Sequence, residues 1–392
     1  MTTTTNATAS VVTNTTVTLS NGVEMPVVAM GTAPLMTSEE DSSQFHPRNS
    51  FHGFLPEQAC RSVHAALAMN VHKQHLPSTL LSDPQQPASS SSSSMPVHID
   101  TALVYRTHPH IRQVMCDALA TGRKKRSDVF LTTKIFHPCY SFGPEDLGHC
   151  MPPDPECENM TYNDVYKLVY KQFQQSLHEC GVGYFDLVLL HWPGIQRESD
   201  DEKDKMYIGV NGRHRLAAWH ALEDCYTKGW TRAIGVSNFS EYHLGELQVI
   251  NEGTKRAQKT KNIRLAIQPH VNQIEASVFI QHKGILEYCL KNGIVPMAYS
   301  PLGRGVTHVT SDQTVQTIAA KHGKDVGQVA MKYLLQKGYG SVVFWTTNVE
   351  RICSNHQLHD FELTQDELEA LDGLNRSDGS GTWGLTSPYD IP

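Results

Sequence analysis

Short apolar runs alternate with helical spacing along most of the chain. Eight runs rich in Val, Ile, Leu and Ala predict buried parallel strands, which are apolar on both faces. They cover residues 26–31, 97–101, 128–133, 185–191, 232–236, 266–272, 294–299 and 341–346. Helical patterns lie between them, for example over 56–69, which has a proline near its start, and over 163–180. Eight strands that alternate with helices predict an α/β protein with a (β/α)8 barrel.

A hairpin and several long insertions surround this pattern. Asn21-Gly22 lies between segments of alternating apolar and polar residues, which predicts a two-residue β-hairpin before the first strand. The segments 33–55, 137–162 and the acidic 194–214 follow predicted strands, so in a barrel they lie over the catalytic face. We expect these long loops to shape a substrate pocket.

Three further segments fall outside the periodic pattern. Residues 1–16 are rich in threonine and predict a disordered tail, and residues 377–392 predict a C-terminal tail or a loop over the site. The interruption at 71–96 contains a serine run and four prolines, which predicts a flexible loop rather than a domain. Because it joins a helix to a strand, we expect it on the N-terminal face. The barrel is then expected over residues 17–376.

The composition and charge of the chain argue against a nucleic-acid-binding protein and against a membrane-spanning one. Apolar residues make up 39% of the 392 residues, and the net charge of −7 argues against a nucleic-acid surface. The chain has no run of about 18 apolar residues that would span a membrane. Its N-terminus lacks the basic and apolar regions of a signal peptide, so we expect a cytoplasmic protein.

The nine cysteines are scattered and form no C-x-x-C motif, which is typical of reduced, mostly buried thiols. Cys139, Cys150 and Cys157 lie close together in the sequence near several histidines. A zinc site there is an alternative, but the spacing fits no standard pattern. We therefore expect no metal.

Four polar residues stand at or just after the ends of predicted strands. Asp100 lies near the end of the second apolar run and Tyr105 just after it, Lys134 directly follows the third run, and His191 ends the fourth. In a (β/α)8 barrel the carboxyl ends of the strands form the rim that carries the chemistry. A phenol, an ammonium, a carboxylate and an imidazole gathered there predict a site for proton transfer.

Seven motifs that occur in order resemble those of the aldo-keto reductases. They occupy residues 19–32, 98–105, 132–134, 189–193, 233–239, 272–275 and 298–303. The resemblance extends over roughly residues 17–376. It implies a barrel plugged at its N-terminal end by the hairpin, and a monomer that reduces aldehydes or ketones, sugars among them, with NADPH by direct hydride transfer.

The resemblance assigns a role to each of the four rim residues. Tyr105 would be the general acid that protonates the carbonyl oxygen. An ordinary phenol holds its proton tightly, and a nearby ammonium, here Lys134, favours its release. Asp100 would hold Lys134 through a charge-assisted hydrogen bond. His191 would donate to the carbonyl oxygen and orient it.

The cofactor residues follow from the resemblance, because the chain has neither a G-x-G-x-x-G nor a P-loop motif. Ser237, Asn238 and Gln273 would hold the nicotinamide carboxamide, and Tyr299 would stack on the ring. The residues expected near the ribose, the pyrophosphate and the adenosine are Gly31, Thr32, Asp100, Ser300, Leu302, Thr346, Arg351 and Asn355.

The adenosine end departs from the family pattern. Trp345 stands where the family usually has a lysine, whereas Arg351 remains and can grip a 2′-phosphate. We expect NADPH to be preferred by a smaller factor than is usual in the family, with NADH as the alternative cofactor.

Residues that follow the strand ends predict an apolar, partly aromatic substrate pocket. They are Ala33, Phe136, His191, Trp192 and, from the C-terminal segment, Trp383. Two other functions stay open. One is a non-catalytic nicotinamide-binding subunit of the same fold. The other is a metal-dependent or Schiff-base barrel enzyme that would use Lys134.

Overall fold

Eight parallel strands close into a barrel in the computed structural model, which describes residues 15–33, 56–68, 96–122, 124–135, 159–194, 202–248, 267–303, 307–376 and 388–390. The strands are β1 (Thr16–Thr18), β2 (Glu24–Pro26), β3 (Val28–Gly31), β4 (Val97–Asp100), β5 (Val129–Ile135), β6 (Phe185–Leu190), β7 (Thr231–Ser237), β8 (Val271–Glu275), β9 (Val295–Tyr299) and β10 (Ser341–Phe344). Strands β3 to β10 follow chain order around the barrel, and β10 pairs with β3 to close it. The predicted (β/α)8 fold is confirmed.

Helices surround the barrel. They are α1 (Pro56–Ala68), α2 (His108–Ala120), α3 (Tyr162–Cys180), α4 (Glu202–Thr227), α5 (241–248), α6 (Lys283–Lys291), α7 (Gln313–His322), α8 (Val326–Gln336), α9 (Val349–Asn355) and α10 (Gln365–Asp372). Local sequence sets several ends. The hydroxyl of Thr161 and the carboxylate of Asp164 form a capping box at the start of α3, and Gly181, at φ 62°, ends it.

Most barrel strands are largely apolar on both faces because both faces are buried. The outward side chains join the helices in one hydrophobic cluster, for example Ile99 of β4 and Leu131 of β5. The inward side chains form a second cluster, which includes Phe130 and Leu187. Successive side chains alternate between the faces. At the carboxyl ends of several strands the inward positions become polar, and those residues make up the site.

The N-terminal hairpin closes the lower end of the barrel, as predicted. Leu19 and Met25 pack into the inward cluster, and Asn21 Nδ2 donates to the carbonyl of Arg232 at 2.9 Å. The turn is one residue longer than the predicted Asn-Gly pair, because the amide of Leu19 bonds to the carbonyl of Val23 at 2.9 Å across three residues. Its last residue, Gly22, has a φ of 82°, which suits a three-residue turn that ends in the left-handed region.

Two predicted boundaries are wrong. We predicted a strand over 266–272, but β8 spans Val271–Glu275. It begins only after Pro269, and it continues through the polar residues Asn272, Gln273 and Glu275, which are buried in the barrel. The apolar run therefore marked the approach to the strand and not the strand itself.

The second wrong boundary concerns the connection 194–214, which we predicted as a loop. Its second half belongs to α4, which begins at Glu202. The buried side chains of this part include Asn211 and His214. A helix that buries polar residues leaves no clear apolar stripe in the sequence.

Several predicted segments lie outside the described residues. They are most of the tail 1–16, nearly all of 71–96, the loops 34–55 and 137–158, and 377–387 of the C-terminal segment. Of that segment, the turn Pro388–Asp390 is described, and Tyr389 donates to Glu241 of α5 at 3.2 Å. Among the helices that the structure describes, none has the length and apolar character needed to cross a membrane.

Candidate active site

Tyr105, Lys134 and Asp100 meet at the carboxyl ends of β4 and β5. Lys134 Nζ lies 2.5 Å from Asp100 Oδ1 and also donates to the carbonyl of Thr101 at 3.1 Å. The same ammonium lies 5.2 Å from the centre of the Tyr105 ring. Only 1% of the Lys134 side chain and 4% of the Asp100 side chain are exposed. The site therefore contains a buried ion pair directly beside a phenol.

The end of β4 explains how Tyr105 reaches this position. After Asp100, the chain enters a short 3-10 turn, Leu103–Tyr105. The turn ends at Arg106, whose φ of 55° lies in the left-handed region. Few residues other than glycine adopt that region without support from their surroundings. The turn brings the phenol beside the Lys134 ammonium.

The environment keeps Lys134 charged. Burial by itself lowers the pKa of an ammonium. Here the charge of Asp100, together with a hydrogen bond and electrostatic attraction to Tyr105, outweighs burial and raises the pKa of Lys134 above its usual value.

His191 follows the end of β6 and faces Tyr105. The two ring centres are 5.8 Å apart, and the planes meet at 80°. The His191 amide donates to the carbonyl of Ile135 at 2.9 Å, and its carbonyl accepts from Asn238 Nδ2 at 2.9 Å. The backbone of His191 is thus held by the neighbouring strand and by the loop after β7. The four predicted rim residues come together.

The predicted carboxamide residues form one hydrogen-bonded group beside them. Ser237 Oγ donates to the carbonyl of Gln273 at 2.8 Å, and the Tyr299 hydroxyl donates to Asn238 Oδ1 at 2.8 Å. Gln273 Nε2 donates to Asp100 Oδ2 at 2.8 Å. Asp100 therefore accepts from Lys134 with one oxygen and from Gln273 with the other, which links the amide group to the ion pair.

The other predicted cofactor residues lie at or after the carboxyl ends of β3, β9 and β10. The Thr32 amide bonds to the carbonyl of Asp100 at 2.9 Å. Ser300, at φ 54°, begins the turn after β9. Leu302 and Asn355 both approach Gly327 in the first turn of α8, since a Cβ added there would meet their side chains within 3.7 Å. Arg351 on α9 is exposed.

Gly31 at the end of β3 and Trp345 just after β10 bear on whether the site can hold a phosphate-bearing ligand. Gly31 stands at the last position of β3, where an added Cβ would lie 3.2 Å from Val343 and 3.9 Å from Trp345. Among the described residues, the buried indole Nε1 of Trp345 has no hydrogen-bond partner. Arg351, six positions further along the chain, is an exposed cation that suits an anionic group. The residues present therefore fit a nicotinamide dinucleotide.

The predicted substrate residues are only partly described. Ala33 is partly buried just after Gly31 and Thr32, and the Trp192 ring stacks at 6.4 Å on that of His191. Phe136 and Trp383 lie outside the described residues, as do Cys139, Cys150 and Cys157. In the part of the chain that the structure describes, no group of three His, Cys, Asp or Glu residues is arranged to hold a metal.

The structure adds residues that the sequence did not indicate. Thr107 and His108, which follow Tyr105, are fully buried polar residues. His108 contacts Thr133 and Glu179, which lie 25 and 71 positions away. A polar stretch after a turn predicts solvent exposure, so no local signal identified them.

Comparison with known proteins agrees with this geometry. A model of the aldo/keto reductase family matches residues 97–376. The Rattus norvegicus protein aldo-keto reductase family 1 member C15 is 32% identical over 295 residues, which cover 71% of this chain and 79% of that protein.

Two solved structures are also similar. The Bombyx mori aldo-keto reductase AKR2E4 in complex with NADP has a TM-score of 0.62 and 25% identity, covering 95% of this chain and 94% of its own. The silkworm aldo-keto reductase AKR2E5 complexed with NADPH has a TM-score of 0.60 and 26% identity, covering 95% and 89% of the two chains. The chain therefore belongs to the aldo-keto reductase family and is an oxidoreductase.

Proposed function

We propose that this protein reduces aldehydes and ketones to alcohols with NADPH, and that Tyr105 is the proton donor. The observation that carries the proposal is the convergence of Tyr105, the buried Lys134–Asp100 ion pair and His191 at one end of the barrel. Binding alone requires no such set. Family membership and the two neighbours solved with NADP and NADPH support the cofactor.

Each residue has a physical task in this reaction. The nicotinamide cofactor, when bound, supplies the hydride. Negative charge then develops on the carbonyl oxygen, and Tyr105 donates its proton there. Lys134 stabilises the phenolate that remains, because its ammonium is kept charged by Asp100. His191 orients the carbonyl oxygen. Ser237, Asn238 and Gln273 would hold the carboxamide, and Tyr299 would pack on the ring.

The phosphate end supports a preference for NADPH that is smaller than usual. Arg351 offers one exposed cation for a 2′-phosphate, and Trp345 carries no charge where a lysine would add a second one. The ratio of kcat/KM for NADPH and NADH measures this preference. We expect Trp345→Lys to increase the ratio. Equal efficiency of the wild type with the two cofactors would contradict the proposed preference.

The test of the function is a turnover assay. Purified protein is mixed with NADPH and a panel of aldehydes, ketones and sugars, and cofactor absorbance is followed beside Tyr105→Phe. We expect turnover by the wild type and a decrease of at least about 100-fold in the variant, with NADPH affinity retained. NADPH binding without turnover of any carbonyl would overturn the proposal in favour of a binding subunit. A Schiff base trapped on Lys134 with borohydride would also overturn it.

The proposal also covers the oligomeric state, the cellular location and the class of substrate. We propose a monomer acting in the cytoplasm on small-molecule carbonyl compounds, with residues 17–376 as the working unit. Sedimentation at assay concentrations measures the oligomeric state, and a dimer would contradict the first part.

A further inference from the structure

The turn that carries Tyr105 is anchored on its carboxyl side by buried hydroxyls. Thr107 Oγ1 lies 2.9 Å from Thr101 Oγ1 and 3.3 Å from Thr32 Oγ1. All three side chains are fully buried. The hydroxyl contacts tie the end of the turn to the residues that follow β3 and β4. They do not contact β5, the strand that carries Lys134.

His108 supplies the contact with β5. It is the first residue of α2 and is completely buried, three positions after Tyr105. Its Nε2 lies 3.0 Å from Thr133 Oγ1, and Thr133 immediately precedes Lys134. The strand that places the ammonium therefore also holds the start of the helix behind the phenol.

Glu179 lies beside the other nitrogen of the His108 ring. His108 Nδ1 is 3.3 Å from Glu179 Oε2, near the end of α3, which is within ion-pair distance but lacks the geometry of a hydrogen bond. This contact is the main cause that lowers the pKa of the Glu179 carboxyl below its usual value. An imidazole is rigid and carries polar nitrogens on two edges, so it can bridge two elements at a fixed separation.

We propose that His108, hydrogen-bonded to Thr133 and close to the Glu179 carboxylate, is a positioning residue that sets the place of the Tyr105 phenol relative to the Lys134 ammonium. The inference rests on the proposed function for its catalytic consequence. The left-handed residue Arg106, between the phenol and this anchor, keeps its conformation only where the surroundings impose it. Without the His108 bridge, the turn would relax and carry the phenol away from Lys134.

Kinetics tests the consequence for proton transfer. We expect His108→Gln and Thr133→Val to lower kcat by about 10- to 100-fold, since small displacements of a reacting group have effects of this order. The KM for the carbonyl and the Kd for NADPH should change by less than about twofold, because Tyr105 acts only after binding. The double variant should be no slower than the slower single variant, since both changes remove one contact.

His270→Gln is the matched control. His270 is also buried, and its Nδ1 bonds to Ile234 at 2.8 Å just before β8, at the other end of the barrel. We expect this variant to lower the thermal midpoint as His108→Gln does, but to keep kcat. An equal decrease of kcat in both variants would overturn the proposal, because general destabilisation would then explain the effect.

A measurement that needs no turnover separates this inference from the proposed function. With [13Cζ]tyrosine, the NMR signal of Tyr105 is assigned by its loss in Tyr105→Phe. We expect the signal to move in His108→Gln and Thr133→Val, and to stay in place in His270→Gln. An unmoved signal in both His108→Gln and Thr133→Val would overturn the positioning role. A moved signal in a protein that turns over no carbonyl would support the positioning role and refute only the proposed function.

Discussion

Two buried carboxylates at opposite ends of the barrel face cations in different ways. Asp100, at the carboxyl end of β4, faces the single cation Lys134, and both side chains are nearly inaccessible to solvent. Asp186, near the start of β6, accepts from Arg126 at 2.8 Å and from Arg232 at 2.9 Å. The arginine side chains are 19% and 48% exposed.

The difference lies in how much of each charge remains hydrated. At the N-terminal end, two partly hydrated cations surround Asp186, and the amide of Leu131 also donates to it at 2.9 Å. At the carboxyl end, a single cation is almost fully dehydrated. A buried pair of that kind adds little net stability, because desolvation offsets the attraction between the charges. We therefore predict that the Asp186 cluster stabilises the barrel and that the Lys134–Asp100 pair serves the proposed chemistry.

Lys134→Met gives the largest expected effect. Turnover should fall by at least about 100-fold, since the phenolate loses its cation. Stability should fall by about 3 kcal/mol, because the Asp100 charge stays buried without its cation. Adding Asp100→Asn should restore the stability but not the turnover. Urea unfolding measures the stability of each variant, and the NADPH assay measures its turnover. A fully active Lys134→Met variant would contradict the proposed catalytic role of the Lys134–Asp100 pair.

Asp186→Asn tests the other end. We expect the free energy of unfolding to fall by about 2 kcal/mol, since two arginines lose their shared anion. The kcat of the folded protein, measured well below its thermal midpoint, should stay within about twofold of the wild type. A loss of kcat without a loss of stability would show that the N-terminal end also takes part in the chemistry.

His98, a buried histidine between the two ends of the barrel, should make the stability of the protein depend on pH. His98 lies one inward position before Asp100 on β4, and its Nε2 lies 2.8 Å from Thr132 Oγ1. Burial lowers the pKa of His98 to about 4. Between about pH 6.5 and pH 4, His98 is therefore protonated in the unfolded chain but neutral in the folded protein. The free energy of unfolding decreases as the pH falls through this range.

The expected loss from His98 is on the order of 3 kcal/mol by pH 4. His98→Gln should reduce the slope of unfolding free energy against pH over that window, measured by urea titration at several pH values. Other buried histidines, such as His282 with a pKa of about 4, leave part of the slope in place. An unchanged slope would mean that His98 is hydrated in the folded protein.

The smallest expected effect concerns the insertion between α1 and β4. Helix α1 ends at Ala68 and β4 begins at Val97, so the predicted loop joins them at the N-terminal end of the barrel. Replacing residues 71–95 by a short Gly-Ser linker should leave kcat/KM within about twofold. Lost turnover in a variant with an unchanged thermal midpoint would contradict the assignment of this end to stability.

Local patterns were enough for much of the fold and for the rim residues. Seven of the eight barrel strands begin as short apolar runs, and for these seven the predicted run overlaps the observed strand along most of its length. Asp100, Lys134 and His191 could be predicted because each follows such a run, and strand ends share one rim. Strand β8 was misplaced because its buried residues are polar, so its apolar pattern stops where the strand begins.

The sequence by itself determined the barrel, the plug and the identity of the rim residues, because strand and helix periodicity and turn chemistry are local properties. Only the tertiary structure decided which polar groups meet. Gln273 reaches Asp100 across 173 positions, and His108 lies between Thr133 and Glu179. Such contacts depend on where distant elements pack and on which polar groups burial forces to pair. No window of the sequence contains that information.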